Sequence, residues 1–266
     1  MLALIGRWVT SPLRHSRLFN NFTRQEFSGE FAGSLGGFLW LFVTPIVNIA
    51  IFSFVFSVVF RAPVPEHYGA LPFVLFLMVG YLPWFAFADA VGKAPGMLIS
   101  KAPLITKVVF PVQLIPAVGS MVPYLVHGIA ILVLLAYLAF RGMFTPMWLW
   151  MFPVLVLQLL FTMGLVAIIS ALCVFLRDVQ QIVTLMLTAW FFMTPIIYPL
   201  EMLPEAFHDY MLFNPMHSFV DFYRELILLG RFDTGSFLIL APTAVIVYLL
   251  GGWFFMRIRH AFGDVL

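Results

Sequence analysis

Long apolar runs alternate with short charged connections along this chain. Six stretches, at 31–60, 67–88, 108–140, 142–176, 179–200 and 234–256, contain no Asp, Glu, Lys or Arg. Each is long enough to cross a bilayer, since a hydrocarbon core of about 30 Å takes roughly 20 apolar residues in a helix and forces backbone polar groups to bond within their own segment. The pattern predicts spans at about 36–60, 70–92, 108–139, 148–176, 179–199 and 236–256 within a single domain covering 1–266. The third and fourth runs, 33 and 35 residues long, exceed one upright helix and fall short of two crossings, so tilt, breaks or interfacial ends absorb the excess. Pro111, Pro116 and Pro123 supply breaks in the first of these, and Thr145, Pro146, Trp148 and Trp150 read as an interfacial entry to the second.

Two segments depart from this rhythm. In 1–32, Leu18, Phe19, Phe22, Glu26 and Phe31 are interleaved with polar residues, which predicts a helix lying along the inner membrane surface with Arg24 at the lipid headgroups. A disordered basic tail is the alternative. Arg7, Arg14 and Arg17 interrupt any signal-peptide core, so no N-terminal removal is expected. The connection 201–235 mixes apolar residues with six acidic and two basic ones. It breaks at Asn214 and Pro215 and resumes as Phe219, Phe222, Tyr223, Leu226 and Ile227, with Asp221, Arg224 and Glu225 on the other face. This predicts a re-entrant helical hairpin dipping from the outer, periplasmic surface; a pair of helices lying flat on the outer leaflet is the alternative. The expected fold is therefore an all-α integral membrane protein of six transmembrane helices, with an N-terminal interfacial amphipathic helix and the hairpin between spans five and six.

Composition agrees: 63% of residues are hydrophobic, 10% are charged, and the mean hydropathy is +1.04. That leaves too little polar material to cover a soluble globule. The net charge of +2 matters less than its placement. With six spans, the termini and the second and fourth connections share one side, and that side holds ten Lys and Arg against four on the other. Both termini are thus expected in the cytoplasm. The single cysteine, Cys173, falls within the fourth span and permits no internal disulfide.

Chemistry-bearing patterns are scarce. The chain has no Gly-rich phosphate loop, no paired Cys motif and no His pair at helical ligand spacing, so no catalytic or metal-binding residue is assigned. His127, the one histidine deep in a span, reads as a hydrogen-bonded helix contact, and Asp89 with Lys93 four residues on reads as an interfacial ion pair. A membrane enzyme acting on lipid-linked sugars would need paired acid-base groups. Glu201, Glu205, Asp209 and Asp221 offer carboxylates without such partners.

An ordered series of short words then emerges. Gly33, Ser34, Leu35 and Gly36 precede Leu39 and Trp40, then Pro45 and Phe54, Val55, Phe56. Gly80, Pro83, Trp84 and Phe85 mark span two, and Leu104, Ile105, Lys107, Val108, Phe110 and Pro111 lead into span three. Span four ends in Val174, Phe175, Leu176, Arg177, Asp178; span five ends in Thr194, Pro195, Ile196, Ile197, Tyr198; Asn214 and Pro215 follow. Over about residues 18–256 this order resembles the membrane subunit of a type 2 ABC exporter, in the branch that exports polysaccharides such as O antigen, capsule or teichoic acid. The chain departs from that branch just before the first span, where it has Glu30, Phe31 and Ala32.

The resemblance implies a transport subunit of the bacterial inner membrane, not an enzyme. It implies a homodimer that binds two copies of a separate ABC ATPase, which would hold the ATP and Mg²⁺; no cofactor is expected in this chain and no nucleic-acid partner. The substrate would be a lipid-linked polysaccharide, amid membrane lipids. A drug or small-lipid exporter is the alternative within the superfamily. The resemblance places ATPase coupling at the interfacial helix with Arg24 and at the loop carrying Lys93, Lys101, Pro103 and Lys107. It makes Arg177, Asp178, Asn214 and Pro215 turn-forming residues. Sugar rings stack on flat amphipathic surfaces, and the aromatic candidates for the path are Trp40, Trp84, Phe85, Trp190, Phe191, Phe192 and Tyr198.

Overall fold

A computed structural model describes residues 2–30, 33, 35–61, 64–69 and 71–266. Phe31, Ala32 and Ser34, which enter the sequence argument, lie outside the described residues. Among those described, all regular structure is helical. The helices are α1 (Leu2–Arg14), α2 (Ser16–Gly29), α3 (Trp40–Ser53), α4 (Phe73–Met97), α5 (Ala102–Lys107), α6 (Leu114–Phe140), α7 (Met151–Phe175), α8 (Val179–Met193), α9 (His208–Met211), α10 (Pro215–Arg224), α11 (Thr234–Ile258) and α12 (Phe262–Val265). A π-helical turn, Phe54–Val59, continues α3.

Five stretches among the described residues are long and apolar enough to cross a membrane: Phe42–Val59, Phe73–Met97, Leu114–Phe140, Pro146–Phe175 and Thr234–Val265. The fifth run of the sequence gives a shorter apolar helix, α8, of 15 residues. Its early stop has a local cause. Pro195 has no N–H to continue the ladder and pushes Thr194 out of the helical region, to φ −98° and ψ 130°.

Helix α4 is the axis of the bundle. In its apolar window 72% of residues are buried, against 11% in that of α3. Around it Phe76, Phe87, Phe161, Phe219 and Phe222 form one core; a second, at the opposite end of the bundle, gathers Trp8, Phe22, Leu98, Phe255 and Phe262. Because lipid tails are as apolar as the helices, close backbone packing has to supply what water-driven burial cannot. Helices α7 and α11 achieve this at Gly164 and Gly251, where any Cβ would collide with the facing backbone.

The N-terminal segment differs from the single interfacial helix expected, because α1 and α2 are separate, broken at His15. The two rings of Tyr248 and Phe255 on α11 hold Trp8 at 5.8 and 5.7 Å, leaving it 2% exposed. Phe22 of α2 meets Phe110, and Phe175 meets Phe262. Both termini, the α4–α6 connection and the α7–α8 turn thus share one end, called the inner end below. The 141–150 connection and the hairpin share the other, where Trp148 Nε1 donates to the Ile227 carbonyl at 3.2 Å and Trp150 meets Phe232 edge-on.

The hairpin enters the bundle. Helix α10 buries Met216, Phe219, Val220, Phe222 and Tyr223 against α4, α7 and α11, so a helix lying flat on the surface does not describe it. Phe219, midway along it, reaches Phe161, ten residues or about 15 Å into α7.

Candidate functional site

At the inner end, charged groups from four parts of the chain converge. Lys93 on α4 reaches the Glu30 carboxylate at the end of α2 and Asp89 at 3.0 Å, one turn earlier on its own helix. His127 Nε2 of α6 lies 3.3 Å from the other Asp89 oxygen and its ring packs edge-on against Phe85. Lys101 reaches Glu26 of α2 and sits 5.5 Å from the centre of the Phe22 ring. The ion pair at i, i+4 and the histidine contact follow the expected pattern, whereas the two links to α2 join residues 63 and 75 positions apart. All five ion-pair partners keep a quarter or more of their side chains exposed.

Two cavities flank this cluster. One, of about 310 Å³, lies between α2, α4 and α6 and is lined by Glu26, Lys93, Lys101 and Gly119. The other, of about 470 Å³, is lined by Trp40, Thr44, Phe85, Asp89 and His127. The structure therefore brings two of the seven aromatic candidates, Trp40 and Phe85, into one cavity with hydrogen-bonding groups. Trp84, Trp190 and Phe191 instead form a cluster around α4: Trp84 lies 6.1 Å from Trp190 and 5.7 Å from Phe191, and is 3% exposed. Phe192 meets Phe191 edge-on and is 54% exposed, and the Tyr198 hydroxyl donates to the Phe192 carbonyl at 2.7 Å.

The turn residues Asn214 and Pro215 open α10. The Asn214 Oδ1 accepts from the Met216 and His217 amides, and Pro215 occupies the first turn, where its missing N–H costs nothing. The same oxygen accepts from Trp190 Nε1 at 2.8 Å, while Nδ2 donates to Thr194 Oγ1 at 2.9 Å. One side chain thus caps α10 and binds the broken end of α8.

Arg224 closes the other end of α10, and here the structure corrects the sequence reading. Rather than facing water beside Asp221 and Glu225, it is buried, 3% exposed. Its guanidinium donates to the carbonyls of Pro195 at 2.7 Å, Ile196 at 2.6 Å and Phe76 at 3.4 Å, and lies 3.6 Å above the Phe76 ring. The break after α8 leaves carbonyls with no helical partner, and a planar fork of donors satisfies several of them together. Gly80 makes room, since a Cβ there would stand 2.9 Å from Arg224 Nη2. Gln158 on α7 completes the belt, donating to the Pro83 carbonyl and accepting from the Tyr223 hydroxyl, both at 3.0 Å. Next in the chain, burial and the nearby Asp221 charge raise the Glu225 pKa.

The remaining candidates lie at the inner end. Pro103 and Lys107 are exposed on α5, Lys101 just precedes it, and Arg24 is exposed on α2. The Arg177 and Asp178 carbonyls accept from Gln180 and Gln181 to start α8, and among the described residues their side chains form no ion pair.

Residues 17–228 match the family described as ABC-2 type transporter. The chain is 32% identical over 224 residues to an O-antigen export system permease protein of Klebsiella pneumoniae, covering 84% of each sequence. It is 33% identical over 225 residues to a permease of the same description from Myxococcus xanthus, covering 83% of this chain and 84% of the relative. A polysialic acid transport protein of Escherichia coli is 23% identical over 219 residues, covering 81% and 83%.

Proposed function

The chain belongs to the ABC-2 type transporter family, and on that premise we propose that it is the membrane subunit of an ATP-driven exporter of lipid-linked polysaccharide of the O-antigen kind. The observation that carries the reading is similarity to two O-antigen export permeases along more than four-fifths of the chain. The chain forms a transport subunit and not an enzyme; ATP and Mg²⁺ belong to a partner ATPase. The inner end, with its ten basic residues, faces the cytoplasm of a bacterial inner membrane, so both termini are cytoplasmic.

Two copies build the path. The apolar faces of α3 with its π-helical continuation and of α8 are the least covered in the bundle, with Ile46, Phe54, Leu185 and Met186 each at least half exposed. The two helices adjoin, Phe52 meeting Phe191 at 5.6 Å, and this continuous face supports pairing with a second copy. The 470 Å³ cavity is each protomer's share of the route: Trp40 and Phe85 offer ring-stacking faces, and Thr44, Asp89 and His127 exchange hydrogen bonds with hydroxyls. Trp84, Trp190 and Phe191 support the walls through packing.

Coupling runs through the ion-pair cluster. An ATPase bound to α5 and α2 moves elements that Lys101–Glu26 joins to each other and Lys93–Glu30 joins to α4, and α4 carries Phe85 and Asp89 of the cavity. Motion at the ATPase thereby biases the wall of the path. The test is depletion of the protein followed by glycan analysis: lipid-linked polymer trapped inside the cell is expected, and loss of polymer synthesis itself would overturn the reading in favour of an enzyme.

A further inference from the structure

The largest groove described lies away from α3 and α8. It has a volume of about 1050 Å³ and runs between α2, α6 and α7. On α6 it extends from Met121 to Leu135, about 21 Å at 1.5 Å per residue, and it ends against Trp148 at the outer end. One leaflet is about half of a 30 Å hydrocarbon core, so the groove is long enough for a lipid chain. Its middle is apolar, with Leu125, Ile129 and Leu132 along the wall. Gly128 leaves open space where a side chain would otherwise project, with nothing within 4 Å of a Cβ built there.

The charged and amide side chains of the groove lie at its inner end. Asn20, Asn21 and Arg24 of α2 line it there, and among the described residues Arg24 has no ion-pair partner. Thr23 Oγ1, also on the lining, is buried without a hydrogen-bond partner among the described residues. A guanidinium, two amides and an unsatisfied hydroxyl gathered at the mouth of an apolar channel complement a phosphate carrying a hydrocarbon chain.

We infer that this groove is a binding site for one anionic diacyl phospholipid, its phosphate on Arg24 and Asn20 and one acyl chain lying over Gly128. Such a lipid fastens α2 to α6 from the side opposite the ion-pair cluster, fixing the seat of α2 by a second, independent contact. The inference needs the chain to lie in a membrane with its inner end at an interface. It does not depend on which cargo is carried.

Native mass spectrometry of the full-length protein, titrated with phosphatidylglycerol or phosphatidylethanolamine of identical chains, tests it. The wild type is expected to retain one phosphatidylglycerol in preference to phosphatidylethanolamine. Arg24→Gln should weaken phosphatidylglycerol about tenfold, the size of one charged hydrogen bond, and phosphatidylethanolamine less, because the ammonium of that headgroup already offsets its phosphate charge. Gly128→Leu, which fills the floor, should weaken both. Equal binding of the two lipids by the wild type, or unchanged phosphatidylglycerol binding in Arg24→Gln, overturns the proposal. So does displacement of phosphatidylglycerol by an equimolar polyprenyl phosphate, which would make the groove a site for an isoprenoid chain. Position 24 is exposed, so that variant decides the matter even where Gly128→Leu does not fold.

Discussion

The two polar clusters of this bundle solve the same problem in opposite ways. Around Arg224 a single buried cation is neutralised by carbonyl dipoles and an aromatic face, and its four contacts lock α4, α10 and the break after α8 together. Around Lys93 and Lys101, formal charges pair with carboxylates that remain partly in water. The first arrangement is costly to open, because each carbonyl released into an apolar surrounding loses a partner it cannot replace. The second opens cheaply, since water and salt compensate separated surface charges. A transporter needs both: a fixed frame at the hairpin and a joint at the inner end.

The sharpest way to break the contrast is Arg224→Met. It leaves the Pro195, Ile196 and Phe76 carbonyls without their donor and is expected to destabilise the protein by about 3–5 kcal/mol, read as a collapse of thermal stability in detergent. Arg224→Lys should recover only part of this, because an ammonium lacks the planar fork. Asn214→Ala comes next, at about 1–2 kcal/mol, since it removes the α10 cap and the link to Trp190. Lys93→Met should cost no more than about 1 kcal/mol of stability while lowering export per ATP hydrolysed. A stability effect of similar size, about 1 kcal/mol, is expected for Lys101→Glu with Lys107→Glu, which sets a carboxylate against Glu26, yet this pair should uncouple ATPase activity from export. Raising salt should weaken the wild-type inner cluster and leave the Arg224 contacts intact; equal salt sensitivity of both would erase the distinction.

Much of the frame was legible as sequence because a bilayer imposes one rule on every span. Uninterrupted apolar runs marked the long helices, and Asp89 with Lys93 announced their pairing through helical spacing alone. What was not legible depends on distant backbone. Arg224 sits beside Asp221 and Glu225 in an amphipathic pattern that reads as a solvated face, but its partners are carbonyls of residues 76, 195 and 196. The available signal was the Thr194–Pro195 break, which requires a donor from somewhere. Likewise nothing in the spacing of Glu30 and Lys93 predicts their contact, and Trp8 gave no periodic cue to its seat over Gly252. Among the aromatic candidates, residue type alone could not separate Trp40 and Phe85, which line a cavity, from the packed Trp84.

The central claim is that this subunit carries polymer outward on energy supplied by a separate ATPase, through the joint at its inner end. Inverted membrane vesicles containing the permease and its ATPase partner, given labelled lipid-linked polysaccharide on the outside, test it most directly. Uptake that requires ATP and both proteins, and that falls with Lys101→Glu and Lys107→Glu while ATP is still hydrolysed, is the predicted result. Uptake independent of ATP, or unaltered by that pair of substitutions, would contradict it.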